Sequence, residues 1–198
     1  MKKQLIIGLT GSIGMGKSTA AKILRQMGLP IYSADKVVHK LLKKNGAGVK
    51  PVSKLFPAAL KNGAINRKIL GREVFGAPAK LRRLEKILHP LVRKEEKKFL
   101  AKHRRVLAVV LEIPLMFETG AEKRCDLVLV VTAPQKIQQA RVLARPNMNK
   151  DKLKAILKQQ MPDAEKRRRA DVIIHTGKGI IDTKRQLKEW WAHARNRS

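Results

Sequence analysis

The sequence predicts an α/β fold of three layers, with helices on both faces of a five-stranded parallel sheet. Three observations predict it. Five short apolar runs alternate with stretches of helical periodicity. A glycine-rich turn joins the first run to the first helix. The length, 198 residues with 43% hydrophobic residues, suits one ordinary domain or a core domain with small insertions.

The elements follow in order. Leu5 to Leu9 is an apolar run closed by Gly11, read as a buried strand. Lys17 to Met27 carries Ala20, Ile23, Leu24 and Met27 at helical spacing and stops at Gly28. Pro30 to Tyr32 is a second strand, and Ala34 to Lys44 a helix ended by Asn45-Gly46. Residues 47–90 differ, being rich in proline and glycine with short apolar periods. Within them Pro78 to Leu88 reads as an amphipathic helix, and another runs from Leu91 to about His103. The core resumes with a strand at Val106 to Leu111, closed by Glu112, and another at Leu127 to Thr132. A helix from Pro134 to Arg145, a polar break at 147–151 and a helix from Lys152 to Gln160 come next. Val172 to Ile174 is the last strand and Ile180 to Ala194 the closing helix.

Composition bounds the function. No stretch reaches the ~18 apolar residues of a membrane span, and the N-terminal Met1-Lys2-Lys3 leads into a strand rather than a signal peptide. One cysteine, Cys125, excludes a disulfide framework and fits a cytoplasmic protein. Lys plus Arg is 45 and Asp plus Glu is 15, a formal charge of +30. Such a charge attracts polyanions, nucleotides as well as nucleic acid. It is spread along the chain, as on solvated helix faces, and the 4% of aromatic residues offers few stacking platforms.

Gly11-Ser12-Ile13-Gly14-Met15-Gly16-Lys17-Ser18 fits G-x-x-x-x-G-K-[ST] at every fixed position. The glycines let successive N–H groups turn toward phosphate oxygens. Lys17 brings a cation to the β- and γ-phosphates, Ser18 a hydroxyl for Mg²⁺, and the helix after it a positive dipole end. An apolar strand before the motif and an amphipathic helix after it are the arrangement this loop requires. The cradle for ATP therefore takes Gly11, Gly14, Met15, Gly16, Lys17, Ser18 and Thr19. Asn149-Lys150-Asp151-Lys152 departs from N-K-x-D, which argues against a GTPase.

Six segments in order resemble the dephospho-CoA kinase family. They are Gly8-Leu9-Thr10-Gly11 with its loop, Ser33-Ala34-Asp35, Ile65-Asn66-Arg67 with Val74-Phe75, His89-Pro90-Leu91-Val92, Pro114-Leu115-Met116-Phe117-Glu118, and Arg169-Ala170-Asp171-Val172-Ile173. The resemblance implies a P-loop kinase core at residues 1–46 and 91–198, a lid at about 141–162, and a helical acceptor-binding insertion at 47–90. It implies phosphorylation of the ribose 3′-hydroxyl of dephospho-CoA by ATP with Mg²⁺, with neither a specific nucleic acid nor a membrane as partner.

The resemblance also implies roles. Asp35 is the general base; its other readings are a partner of magnesium-bound water, a group that orients the hydroxyl without removing its proton, and a helix cap. Lys17 and Arg145 stabilise charge on the transferring phosphoryl group, Arg145 from the lid, four residues after Arg141. Thr10 lines the site near acceptor and phosphates, or satisfies turn backbone. Arg67 and Arg93 hold the acceptor's pyrophosphate, and His89 with Pro90 fixes a turn or makes a contact in the acceptor-binding domain. Glu112 contacts the metal through water, or only bonds the loop. Ser33 replaces an Asp, and His175 an Asn, of the family pattern. The rival readings are another small-molecule or nucleoside monophosphate kinase, and a nucleic-acid-binding ATPase.

Overall fold

The structure, a computed structural model, describes residues 4–197, so Met1-Lys2-Lys3 lie outside the described residues. The chain divides into two compact units. One takes the chain up to Tyr32 and again from His103; the other is Ser33–Lys102.

The first unit is built on a five-stranded parallel sheet. Its strands are β1 (Leu5–Thr10), β2 (Ile31–Ser33), β5 (Ala108–Glu112), β6 (Leu127–Thr132) and β7 (Val172–His175), in the order β2-β5-β1-β6-β7. β1 is central. It pairs in parallel with β5 from Leu5↔Ala108 to Leu9↔Glu112, and with β6 from Ile7↔Leu127 to Thr10↔Val130. Every residue of β5 is buried, as a strand covered on both faces must be. Two aspartates pin the strand starts. Asp126 accepts from Ile6 N–H at 2.7 Å while its own N–H reaches Ile6 O. Asp171 does the same to Val128 across β6 and β7. A one-residue slip would break both pairs and turn each strand over.

The helices of this unit are α1 (Lys17–Gln26), α6 (Gln135–Leu143), α7 (Lys150–Lys158), α8 (Asp163–Arg168) and α9 (Ile180–Arg197). Ala20, Ile23 and Leu24 of α1 join Ile7, Leu9, Val110, Leu129 and Leu187 in one buried cluster. α7 opens at Asn149, whose side chain accepts from Lys152 N–H at 2.9 Å. The sequence leaves α8 unread, because Asp163-Ala164-Glu165-Lys166-Arg167-Arg168 has no apolar period.

The second unit holds α2 (Ala34–Leu42), α3 (Val49–Leu55), a hairpin of β3 (Leu60–Lys61) and β4 (Ala64–Ile65), α4 (Arg67–Val74) and α5 (Pro78–Lys102). Its core is Leu42, Val52, Phe56, Ala59, Ile65, Leu70, Leu84 and Leu88. Asn66 caps α4, accepting from the N–H groups of Lys68 and Ile69. The two helices expected on either side of Pro90 are one 25-residue helix with Pro90 inside it. Proline removes one ladder bond and crowds the preceding turn. Leu84 and Leu88 anchor the turns before it and buried Glu96 a turn after it, which holds the helix through the gap.

Leu129 lies on β6, fully buried beside β1. Leu129→Ala should destabilise the protein by about 2–5 kcal/mol through lost burial and a cavity. Urea unfolding with an unchanged slope checks this; a loss under ~0.5 kcal/mol would mean the sheet centre repacks.

Candidate functional site

The glycine-rich loop runs from the end of β1 into α1. Gly14 and Gly16 have φ of 79° and 89°, a left-handed conformation that glycine adopts without strain. Close approach adds a second requirement. A Cβ on Gly11 would lie 2.5 Å from Val131 Cγ2 and 2.7 Å from Val131 O. One on Gly14 would lie 2.7 Å from Val142 Cγ2. The loop is thus seated directly on β6 and α6.

The loop's carbonyls are bonded outward. Gln138 Nε2 donates to Ile13 O at 2.8 Å, and Thr176 Oγ1 donates to Met15 O at 2.9 Å. Arg141 donates to Thr176 Oγ1 at 2.9 Å and to Thr176 O at 2.7 Å, and reaches Gly14 O at 3.4 Å. Met15 is itself buried, its sulfur taking Ala133 N–H at 3.1 Å, so its side chain is structural. The inward side is the reverse. Among the described residues, the N–H groups of Gly14, Gly16, Lys17, Ser18 and Thr19 have no acceptor. Free donors at a helix start, with its dipole behind them, make an anion site.

Lys17 Nζ lies 3.3 Å from Glu112 Oε1, a largely buried ion pair at the end of β5. The Ser18 hydroxyl is exposed and has no bond among the described residues. Thr10 is fully buried and donates to Pro114 O at 3.0 Å, the bond of its structural reading. Arg145 lies two residues past α6, exposed, and its guanidinium makes no bond among the described residues. Arg141, by contrast, is committed to the loop. An open cleft of about 570 Å³ lies beside the loop; Ser12, Thr132, Gln138, Met161, Asp163 and His175 are among its lining residues.

In the other unit Asp35 stands in the first turn of α2. It lines an open basin of about 650 Å³ with Lys36, His39, Lys40, Lys43 and Arg67. Arg67 Nη1 donates to His39 Nδ1 at 3.1 Å, which requires that nitrogen unprotonated. One carboxylate among this many basic groups suits an acceptor that carries phosphate. His89 and Arg93 are exposed on α5 and do not line this basin.

Sequence reasoning missed Gln138, Thr176, Gln160 and Lys166. The amides of Gln138 and Gln160 and the hydroxyl of Thr176 carry no local signal, and their loop contacts span more than a hundred residues; Lys166 is one lysine among 45 basic residues.

The dephospho-CoA kinase family profile matches residues 5–182. A dephospho-CoA kinase of Paramagnetospirillum magneticum is 56% identical over 164 residues, 82% of this chain and 77% of that protein. One of Brucella melitensis is 49% identical over 187 residues, 93% of this chain and 92% of that protein. A crystal structure of a Thermus thermophilus protein, 36% identical, superposes with a TM-score of 0.85, covering 97% of this chain and 98% of its own.

Gly11→Ala puts a methyl group against the Val131 backbone and should displace the loop. ADP affinity is expected to fall by tenfold or more, a loss of at least ~1.4 kcal/mol. Calorimetric titration of the folded variant measures it, and unchanged affinity would show that the loop tolerates the shift.

Proposed function

This chain belongs to the dephospho-CoA kinase family, ATP-dependent kinases of the final step of coenzyme A synthesis, and we propose from that premise how its own residues carry the reaction. The γ-phosphoryl group of ATP passes to the ribose 3′-hydroxyl of dephospho-CoA. The bond from the 3′-oxygen to Pγ forms, the bond from Pγ to the β-phosphate bridging oxygen breaks, and coenzyme A and ADP leave. The observation that carries this reading is the set of N–H groups of Gly14, Gly16, Lys17, Ser18 and Thr19, which have no acceptor among the described residues, beside the Lys17 ammonium, a site for a polyphosphate.

The donor side is Gly11 to Thr19. The N–H groups of Gly14, Gly16, Lys17, Ser18 and Thr19 hold the phosphates, and Lys17 exchanges Glu112 for phosphate oxygens. Arg141 and Thr176 keep the loop in shape. Arg145, exposed and with no bond among the described residues, swings over the γ-phosphate from a lid at about 141–162 and stabilises its charge in flight. The acceptor side is Asp35, whose carboxylate takes the 3′-hydroxyl proton. Arg67 with the lysines of the basin holds the acceptor's diphosphate, and His89 and Arg93 extend that basic surface. Residues 47–90 supply most of the acceptor-binding helices.

The oxygen donors beside Lys17 fit Mg²⁺. The Ser18 hydroxyl is unbonded among the described residues, and Glu112 offers a hard carboxylate, through water. Bound there, Mg²⁺ neutralises charge on the β- and γ-phosphates. No helix among the described residues is long and apolar enough to cross a membrane, and we place the enzyme in the cytoplasm.

Three outcomes are expected. Product analysis with dephospho-CoA and ATP should find phosphate on the ribose 3′-oxygen; no turnover, against activity on another alcohol, would overturn the reading. Asp35→Asn should lower kcat by about 10² to 10⁴, the range for a positioned base, while ATP affinity stays near wild type. Nearly unchanged turnover would remove Asp35 as base. Chelation with EDTA should abolish turnover and added Mg²⁺ restore it.

A further inference from the structure

Two backbone groups at the loop's apex are bound by side chains. Ile13 O accepts from Gln138 on α6. Ile13 N–H donates to Gln160 Oε1 at 3.0 Å. Gln160 lies between α7 and α8, and the residue after it is tied down separately. Met161 N–H donates to Glu118 Oε1 at 2.7 Å. That oxygen lies 2.8 Å from Lys166 Nζ, on a lysine that is completely buried. Lys166 Nζ also reaches Pro114 O at 3.4 Å, and the same carbonyl accepts the Thr10 hydroxyl. A continuous polar chain therefore runs from Thr10 at the end of β1, through Pro114, Lys166 and Glu118, to Met161. From there one peptide leads to Gln160 and the loop apex.

We propose that Gln160 is a positioning residue of the phosphate loop, and that the buried Lys166–Glu118 pair is its anchor. The proposal rests on reading residues 11–18 as the cradle of the ATP phosphates. Gln160 takes one N–H out of the loop's supply and leaves those of Gly14, Gly16, Lys17, Ser18 and Thr19 for the ligand. The apex is thereby shaped before any anion arrives, which lowers the ordering cost of binding. The chemistry of the residue matters. A neutral amide oxygen accepts the bond without setting a negative charge against incoming phosphate, as a carboxylate would. The anchor must be stiff, because Gln160 stands in a connection between two short helices. A lysine fully out of water needs its carboxylate partner, so breaking the pair is strongly disfavoured and Glu118 stays where Met161 requires it.

The test compares the wild type, Gln160→Ala and Gln160→Glu in two measurements. The first is amide hydrogen exchange at Ile13 in nucleotide-free protein. Gln160→Ala should speed it by about tenfold or more, through loss of one bond on a partly covered amide. Gln160→Glu should restore slow exchange, since its oxygen accepts the same bond. The second is steady-state kinetics. Gln160→Ala should raise the KM for ATP by about tenfold and leave that for dephospho-CoA within about twofold, as expected for one lost bond to the donor site. Gln160→Glu should keep a raised ATP KM that grows as salt is lowered, from charge repulsion. The paired variant Glu118→Leu/Lys166→Met removes the anchor without stranding a charge, and should reproduce the fast Ile13 exchange.

Unchanged Ile13 exchange in Gln160→Ala overturns the proposal. So does an equal rise in both KM values with a lowered Tm, the mark of a merely structural residue. Slow exchange in the paired variant removes the anchor. Failure of the wild type to use dephospho-CoA would instead overturn the functional reading and leave the exchange result standing.

Discussion

One constraint organises the core unit: the loop of residues 11–18 and the helix start after it must leave a set of N–H groups unbonded while the loop's carbonyls find donors elsewhere. A peptide group has two ends, and a buried carbonyl left unpaired costs free energy comparable to a lost bond. The loop meets this by borrowing donors from three places. Gln138 on α6, Thr176 after β7 and Arg141 near the end of α6 each hold a loop carbonyl. The glycines follow from the same demand, since a loop pulled this close to β6 has no room for a Cβ at Gly11. Strand order follows too. β1 must be central, so that β6 can carry the floor beneath the loop and β5 can bring Glu112 to Lys17.

The Lys17–Glu112 pair has an energetic consequence. Before nucleotide binds, the lysine already has an anionic partner in a largely buried setting. Binding phosphate exchanges one anion for another, so the net gain from that contact is smaller than its Coulomb energy suggests. In the proposed reaction the affinity would then rest more on the backbone N–H groups, which have no partner among the described residues to give up. Differential effects are where Lys17 would count in that reaction: charge that develops on the transferring group would strengthen its contact relative to the ground state.

The sequence made the parallel sheet and the phosphate loop legible because both are local. A strand, a spaced set of glycines and an amphipathic helix all fall within about twenty residues, inside the range where period and turn chemistry can be read. The six ordered segments carried the family. The support of the loop was not legible. Gln138, Gln160 and Thr176 reach it from 125, 147 and 161 residues away, and nothing about a lone amide foretells its partner. α8 was missed because it has no apolar period; the residue it buries is a lysine, Lys166. Pro90 misled in the opposite direction, since a local breaker lost to the packing of the helix around it. Arg141 and Arg145 show the limit of spacing arguments. Four residues apart, one is spent on the loop and the other is exposed with no bond among the described residues.

The charge of the chain makes its few acids informative. With 15 carboxylates against 45 lysines and arginines, an acid has abundant exposed cations to pair with at the surface. Several are instead found at structural joints. Asp126 and Asp171 cap strand N–H groups, Glu112 meets the loop lysine, Glu118 meets the buried Lys166, and Glu122 meets Arg169 as it covers Phe117. Exposed pairs contribute at most about 1 kcal/mol and are screened over roughly 8 Å at physiological salt. A carboxylate at a joint does more, because removing it leaves a buried donor or cation unpaired. The excess of positive charge is therefore a property of the solvated faces, where it attracts polyanions without choosing among them. In the proposed reaction, choice would belong to the places where an acid stands among the cations: Glu112 beside the phosphate loop, and Asp35 among the basic groups of its basin.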